Sequence, residues 1–142
     1  NLNFYKEILN FSSKKPILGI CLGMQILSDF GEEFQLSEGL KLINGKVEKI
    51  DEKENISHVG WNSIILKKKG DLFKGIEDKT DFYFVHAYKF NLKKKNNETT
   101  RVKFNNTFIT SSIQKKNIFG LQFHPEKSHK NGLRILKNFK EI

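Results

Sequence analysis

Apolar residues recur along this chain with two different periods, and the change of period divides it. Over residues 2–11 they fall at Leu2, Tyr5, Ile8 and Leu9, the spacing of one helical face. Residues 12–15 interrupt the pattern, and Pro16 opens a new element. Ile17, Leu18, Gly19 and Ile20 form a short unbroken apolar run, which predicts a strand buried on both faces. Helical spacing returns over residues 22–30 through Met24, Ile26, Leu27 and Phe30, with Gly31 as the expected stop. After Gly39 the texture becomes short strands between polar turns, predicted at 46–50, 63–66, 82–85, 101–104, 108–112 and 118–122. Asn44-Gly45, Lys69-Gly70, Asn96-Asn97 and Asn105-Asn106 supply turn signals. Leu133, Ile135, Leu136 and Phe139 close the chain at helical spacing, with Ser128 as the expected N-cap. This order predicts one α/β domain over 1–142: a mixed sheet with helices packed on it.

Composition narrows the function. A chain of 142 residues with 37% hydrophobic content fits one packed domain. No apolar run approaches the roughly 20 residues of a membrane span. The opening residues form no secretory signal and carry no initiator methionine, so the chain is expected to begin inside a longer protein. The single cysteine excludes an internal disulfide framework and a Cys-rich zinc site, and a lone thiol suits the cytosol. The net charge of +9 comes mostly from lysine, clustered at Lys67-Lys68-Lys69, Lys93-Lys94-Lys95 and Lys115-Lys116. Those clusters lack arginine and interleaved aromatics, so they read as solvated turns rather than a nucleic-acid surface.

Two short segments carry chemistry. Gly19-Ile20-Cys21-Leu22-Gly23 places small residues two before and two after a nucleophile, where a strand turns sharply into a helix. Such a turn crowds the backbone, which is why glycines are expected there. It presents the side chain proud of the sheet, and the helix N-terminus is expected to favour the thiolate. The amide of Leu22 then stands ready to bind an oxyanion. On these residues alone, a buried structural cysteine remains open. In Gly120-Leu121-Gln122-Phe123-His124-Pro125-Glu126 an imidazole leaves a strand, and a carboxylate two residues on is placed to orient it as a general base. A turn histidine beside a surface glutamate is the competing reading.

Together the two segments resemble the signature motifs of class I (triad) glutamine amidotransferases. Gly19 to Gln25 matches the first motif and Gln122 to Ser128 the second. Within that family the finer resemblance is to the glutaminase subunits of imidazole glycerol phosphate synthases. It extends through Gly39 to Val47, His58-Val59-Gly60-Trp61-Asn62 and Tyr83-Phe84-Val85-His86-Ala87-Tyr88, so essentially the whole chain is covered. The resemblance implies a largely parallel central sheet with flanking helices. It implies that Cys21 attacks the glutamine carboxamide, that His124 carries the proton, and that Glu126 orients His124. Gln25 and Glu33 match positions that grip the glutamine backbone groups, and the backbone at His86, Ala87 and Tyr88 matches the part that receives the α-carboxylate. Trp61 and Asn62 match the contact with a (β/α)8-barrel synthase subunit, which receives the ammonia. The implied reaction needs no metal and no organic cofactor.

The family pattern also begins before Asn1, with a strand and a glycine-rich loop that supplies a second oxyanion donor. The chain is therefore expected to be a truncated domain lacking its first strand, and a weak or inactive glutaminase alone. Ala87 stands where the subfamily often has serine. His58 reads equally as part of the contact patch or as an exposed histidine. His86 reads as well as a hydrogen-bonded histidine near the core, and His129 receives no role. Two alternatives stay open: an amidotransferase subunit serving a surface-sugar pathway, and a non-catalytic subunit of the same fold.

Overall fold

A computed structural model describes residues 2–33, 35–51 and 56–142 of the chain, with the side chains of residues 2 and 3 left aside. Its helices are α1 (Leu2–Ser12), α2 (Leu22–Gln25) and α3 (His129–Lys140). Its strands are β1 (Ile17–Ile20), β2 (Phe30–Gly31), β3 (Ser37–Glu38), β4 (Gly45–Lys49), β5 (His58–Leu66), β6 (Asp81–His86), β7 (Tyr88–Leu92), β8 (Glu98–Phe104), β9 (Thr107–Lys115) and β10 (Ile118–Leu121). A six-stranded sheet runs β1-β10-β9-β8-β5-β6, and a four-stranded sheet runs β3-β2-β4-β7. The α/β class and the mixed sheet are as expected. Among the described strands, parallel pairing occurs at β1–β10 and β2–β4, and the remaining pairs are antiparallel.

β10 is the strand around which the molecule packs, and all four of its residues are buried. Phe119 and Leu121 enter a core with Ile64, Phe82, Phe84, Val102 and Ile135 of α3. Ile118 enters a second core with Met24, Leu27, Ile43, Val47 and Phe90. Side chains alternate across a strand, so one strand feeds both cores. β1 lies parallel to it with Gly19 opposite Gly120. Contrary to the unbroken apolar run, β1 is only half-buried, and Gly19 is its one buried residue.

The second predicted helix is much shorter than its periodicity. α2 ends at Gln25 because tertiary hydrogen bonds capture the carbonyls that would continue it. Leu40 N–H donates to Ile26 O at 2.7 Å, Lys41 N–H to Ser28 O at 2.8 Å, and Ile43 N–H to Leu27 O at 3.0 Å. Gly31 accordingly lies in a strand rather than ending a helix. Met24 and Leu27 are buried as the period predicts, but Ile26 and Phe30 are exposed, so the period marks the apolar side at only part of its positions and overstates the helix length. β7 has no counterpart among the predicted strands, and β5 and β9 extend beyond theirs. No helix among the described residues is long and apolar enough to cross a membrane.

Candidate active site

The two chemical segments meet at the C-terminal ends of the parallel pair β1 and β10, where open α/β sheets place their ligands. Cys21 follows β1 directly and adopts φ 51° and ψ −109°. A non-glycine residue there is strained, and such strain collects at functional turns. Its amide is tied to Leu121 O at 2.7 Å. Gly19 is required by close approach: a Cβ on it would lie 2.3 Å from Gly23 O. Gly23 itself is not crowded, because nothing lies within 4 Å of its would-be Cβ. The expectation of two crowded glycines therefore holds at one of them.

The Cys21 thiol is held protonated. Burial raises its pKa first; the nearby carboxylates Glu126 and Glu33 raise it further, against hydrogen bonds from the Leu22 amide and Gln122. This reverses the sequence expectation of a thiolate, since a four-residue helix offers little dipole to offset burial. The Sγ–H points to Val85 O at 3.7 Å, and Gln122 Nε2–H donates to Sγ at 3.8 Å. The Leu22 amide does face the sulfur, which is where an oxyanion donor belongs.

His124 and Glu126 form a pair, with Nδ1 2.6 Å from Oε1. A carboxylate accepts, so Nδ1 carries the proton and Nε2 is left as the basic nitrogen. Nε2 is buried and has no hydrogen-bond partner. An orphaned buried nitrogen is costly in a structural residue and expected in a resting base. The turn carrying His124 is fixed at three points. His124 N–H donates to Tyr83 O at 2.8 Å, Ser128 Oγ–H donates to His124 O at 2.6 Å, and Tyr83 N–H donates to Ser128 Oγ at 3.0 Å. Ser128 thus braces the histidine turn, and it makes no side-chain N-cap bond to α3. Gly132 of α3 presses on the same turn, where an added Cβ would fall 1.8 Å from Pro125 O.

Beside Leu22 lies a cleft of about 300 Å³, lined by Gln25, Ile26, Glu33, Ser37 and Val47 among others. Glu33 supplies negative charge near the thiol, as an ammonium-bearing ligand would require. The Gln25 amide is turned inward, donating to Tyr88 O and to Gln122 Oε1, both at 3.2 Å. His86, Ala87 and Tyr88 lie behind Gln25 rather than on the cleft wall. Ala87 O accepts from Ile50 N–H, and His86 Nδ1–H donates to Tyr88 O at 2.7 Å. His58 is buried, stacked on Phe84 with ring centroids 4.5 Å apart, and 3.1 Å from His86 Nε2. It is therefore neither an exposed histidine nor part of an outer patch. Trp61 is 48% exposed and stacks on His129 at 5.0 Å, with Tyr83 edge-on at 5.8 Å. Asn62 turns inward to His58 and Lys103 O.

Sequence reasoning gives Val85, Ser128 and Gln122 no part in the chemistry. Gln122 offers a signal, a polar side chain in an apolar strand end, and it proves fully buried. Among the described residues no three His, Cys, Asp or Glu side chains group as a metal site.

Known proteins place this geometry. The sequence pattern of the family Glutamine amidotransferase class-I matches residues 1–142. The imidazole glycerol phosphate synthase subunit HisH of Pelagibacter ubique is 44% identical, covering 97% of this chain and 69% of its own length. HisH 2 of Vibrio vulnificus is 48% identical over 89% of this chain and 59% of that protein. HisH of Pyrococcus furiosus is 44% identical over 90% and 66%. The chain thus spans between 59% and 69% of the length of these relatives. Among solved structures, a glutamine amidotransferase from Thermotoga maritima aligns with TM-score 0.61 at 24% identity, covering 98% of this chain and 52% of that one. A glutamine amidotransferase from Methylobacillus flagellatus aligns with TM-score 0.61 at 15% identity, covering 98% and 49%. These two likenesses speak for the fold alone. With that family pattern running from end to end, the chain belongs to the class-I glutamine amidotransferases.

Proposed function

We propose that the protein is a glutaminase subunit that releases ammonia from glutamine for a synthase partner. The observation that carries the reading is the site at the ends of β1 and β10. A strained Cys21 stands there beside a His124–Glu126 pair whose basic Nε2 is buried and uncommitted. Residues 1–142 act in it as one domain. Glutamine lies in the cleft beside Leu22, its α-ammonium toward Glu33 and its carboxamide toward Cys21.

The thiol turns from Val85 O to His124 Nε2 and gives up its proton as sulfur attacks the carboxamide carbon. The Leu22 amide stabilises the oxyanion. His124 passes the proton to the departing nitrogen, ammonia leaves, and a glutamyl thioester remains on Cys21. His124 then takes a proton from water, the hydroxide adds to the thioester, and glutamate leaves as the thiol is re-formed. Glu126 stabilises the imidazolium in both halves.

The names of the relatives support imidazole glycerol phosphate synthase in histidine biosynthesis as the setting. A (β/α)8-barrel subunit is then the ammonia acceptor's host, docked over the Trp61 and Asn62 segment of β5 as a heterodimer in the cytoplasm. The test is co-expression of the protein with its barrel partner, followed by an assay of glutamate release with Cys21→Ala as control. Glutamate that appears with the partner and vanishes in the variant bears the reading out. Equal silence of both proteins with the barrel's ligand present refutes it.

A further inference from the structure

We propose that His58 is a positioning residue for the Cys21 centre, a link in a hydrogen-bond chain that converges on Tyr88 O, where it meets the Gln25 amide that sets how Gln122 meets the sulfur. The proposal rests on the glutaminase reading and deepens it.

The chain is continuous and its direction is forced from both ends. At the outer end, Asn62 Nδ2 donates to Lys103 O at 3.0 Å, and its other proton lies toward His58 Nε2 at 3.1 Å. Asn62 Oδ1 is occupied by Ser63 N–H at 2.8 Å, which fixes the orientation of the amide. At the inner end, Tyr88 O can only accept, so His86 Nδ1 carries a proton. His86 Nε2 is then a lone pair, and the proton between the rings sits on His58 Nδ1, 3.1 Å away. His58 Nε2 is left to accept from Asn62, as the outer end requires. Both constraints select the same tautomers.

Tyr88 O accepts from both sides, and beyond it donation starts again from Gln25. That carbonyl draws the Gln25 amino group at 3.2 Å, and the same nitrogen donates to Gln122 Oε1 at 3.2 Å. With its oxygen engaged, Gln122 presents its amino group to Cys21 Sγ at 3.8 Å. A flipped Gln122 would present a carbonyl oxygen to sulfur and repel the thiolate. The chain thus ties a half-exposed residue of β5 to the nucleophile, and its two imidazoles, His58 and His86, do not line the cleft.

Both imidazoles must be neutral for this order. Burial, together with their mutual proximity, holds His58 down to about 4, and burial does the same to His86. Aromatic packing keeps the His58 ring in place, since Phe84 stacks on it and Phe104 lies at 4.4 Å.

The experiment uses the complete protein assembled with its barrel partner. His58→Phe keeps a ring among Phe84 and Phe104 and removes the donor. His58→Asn keeps a donor near the Nδ1 position. Two readouts are taken: kcat and KM for glutamate release, and the pH profile of Cys21 alkylation by iodoacetamide. In His58→Phe, kcat is expected to fall on the order of tenfold, with KM changed less. The alkylation midpoint should move to higher pH, because the sulfur loses an oriented donor. His58→Asn should restore most of both. A wild-type kcat with a wild-type alkylation profile in His58→Phe overturns the proposal. If that variant does not fold, Asn62→Asp carries the test at a half-exposed position, since it removes both outer donors; an unchanged alkylation profile there overturns the proposal equally. If wild type releases no glutamate while the alkylation profile shifts in the variants, the glutaminase reading falls and the positioning role stands.

Discussion

Lowering the pH from 7 to 4 should destabilise this protein before its carboxylates are neutralised, because two buried imidazoles refuse protons. His58 and His86 are 3% and 7% exposed. Both are depressed from 6.5 to about 4, mainly by burial, and their ionisable neighbours are each other and His124. A base with a depressed pKa takes up its proton more readily when unfolded. The stabilisation is therefore complete above 6.5, is lost as pH falls toward 4, and levels off below. At about 1.36 kcal/mol per pH unit the window amounts to about 3 kcal/mol for each ring. The two rings share one hydrogen bond, so their sum is an upper bound. Against a typical total of about 5–15 kcal/mol, this is enough to bring the midpoint of urea unfolding sharply down. The assay is urea unfolding at pH 7.0, 6.0 and 5.0, followed by circular dichroism so that the surroundings of Trp61 do not enter the signal. In His58→Phe the slope between pH 6.5 and 5 should fall by about half, since one of two proton sites is gone. A stability that is flat or rises as pH falls through this range refutes the reasoning, as does an undiminished slope in the variant.

Three further outcomes follow from contacts at the site. Gly19→Ala puts a Cβ against Gly23 O at 2.3 Å and should cost about 1–3 kcal/mol or more in urea unfolding, as overpacked backbone does. Gly132→Ala drives a Cβ into Pro125 O at 1.8 Å and should displace the turn that carries His124; glutamate release should drop on the order of a hundredfold while circular dichroism keeps its folded form. Glu126→Gln removes a carboxylate that raises the Cys21 pKa, so iodoacetamide should alkylate Cys21 at lower pH even as glutamate release falls.

The elements are legible where a period is long or a run is isolated, as at α1, α3 and β10. They are illegible where long-range hydrogen bonds override local pattern. Residues 26–28 carry helical spacing, yet their carbonyls are claimed by the 40–43 segment, which lies far enough along the chain that no local window sees it. β7 alternates through Tyr88, Phe90 and Leu92, but it follows β6 after one residue, so no turn signal separates the two. β5 outruns its predicted span because Gly60 and Asn62 look like turn residues. They lie in a strand because β5 pairs with β6 there, Gly60 opposite Phe84 and Asn62 opposite Phe82.

At the site, the motifs name the groups and not their resting state. The spacing of Cys21, His124 and Glu126 requires only that two strand ends be neighbours, which the β1–β10 register satisfies. The protonation of Cys21 depends on quantities that spacing does not contain: its burial, two carboxylates, and a carbonyl from β6, sixty-four residues away. These outweigh the one helix-end amide that the motif does predict. The thiol therefore faces Val85 O while the basic nitrogen of His124 waits unpartnered. β6 carries that carbonyl, anchors the His124 turn through Tyr83 and pairs with Trp61 of β5. A displacement of this one strand would move the acceptor that holds the thiol and the turn that holds its base together.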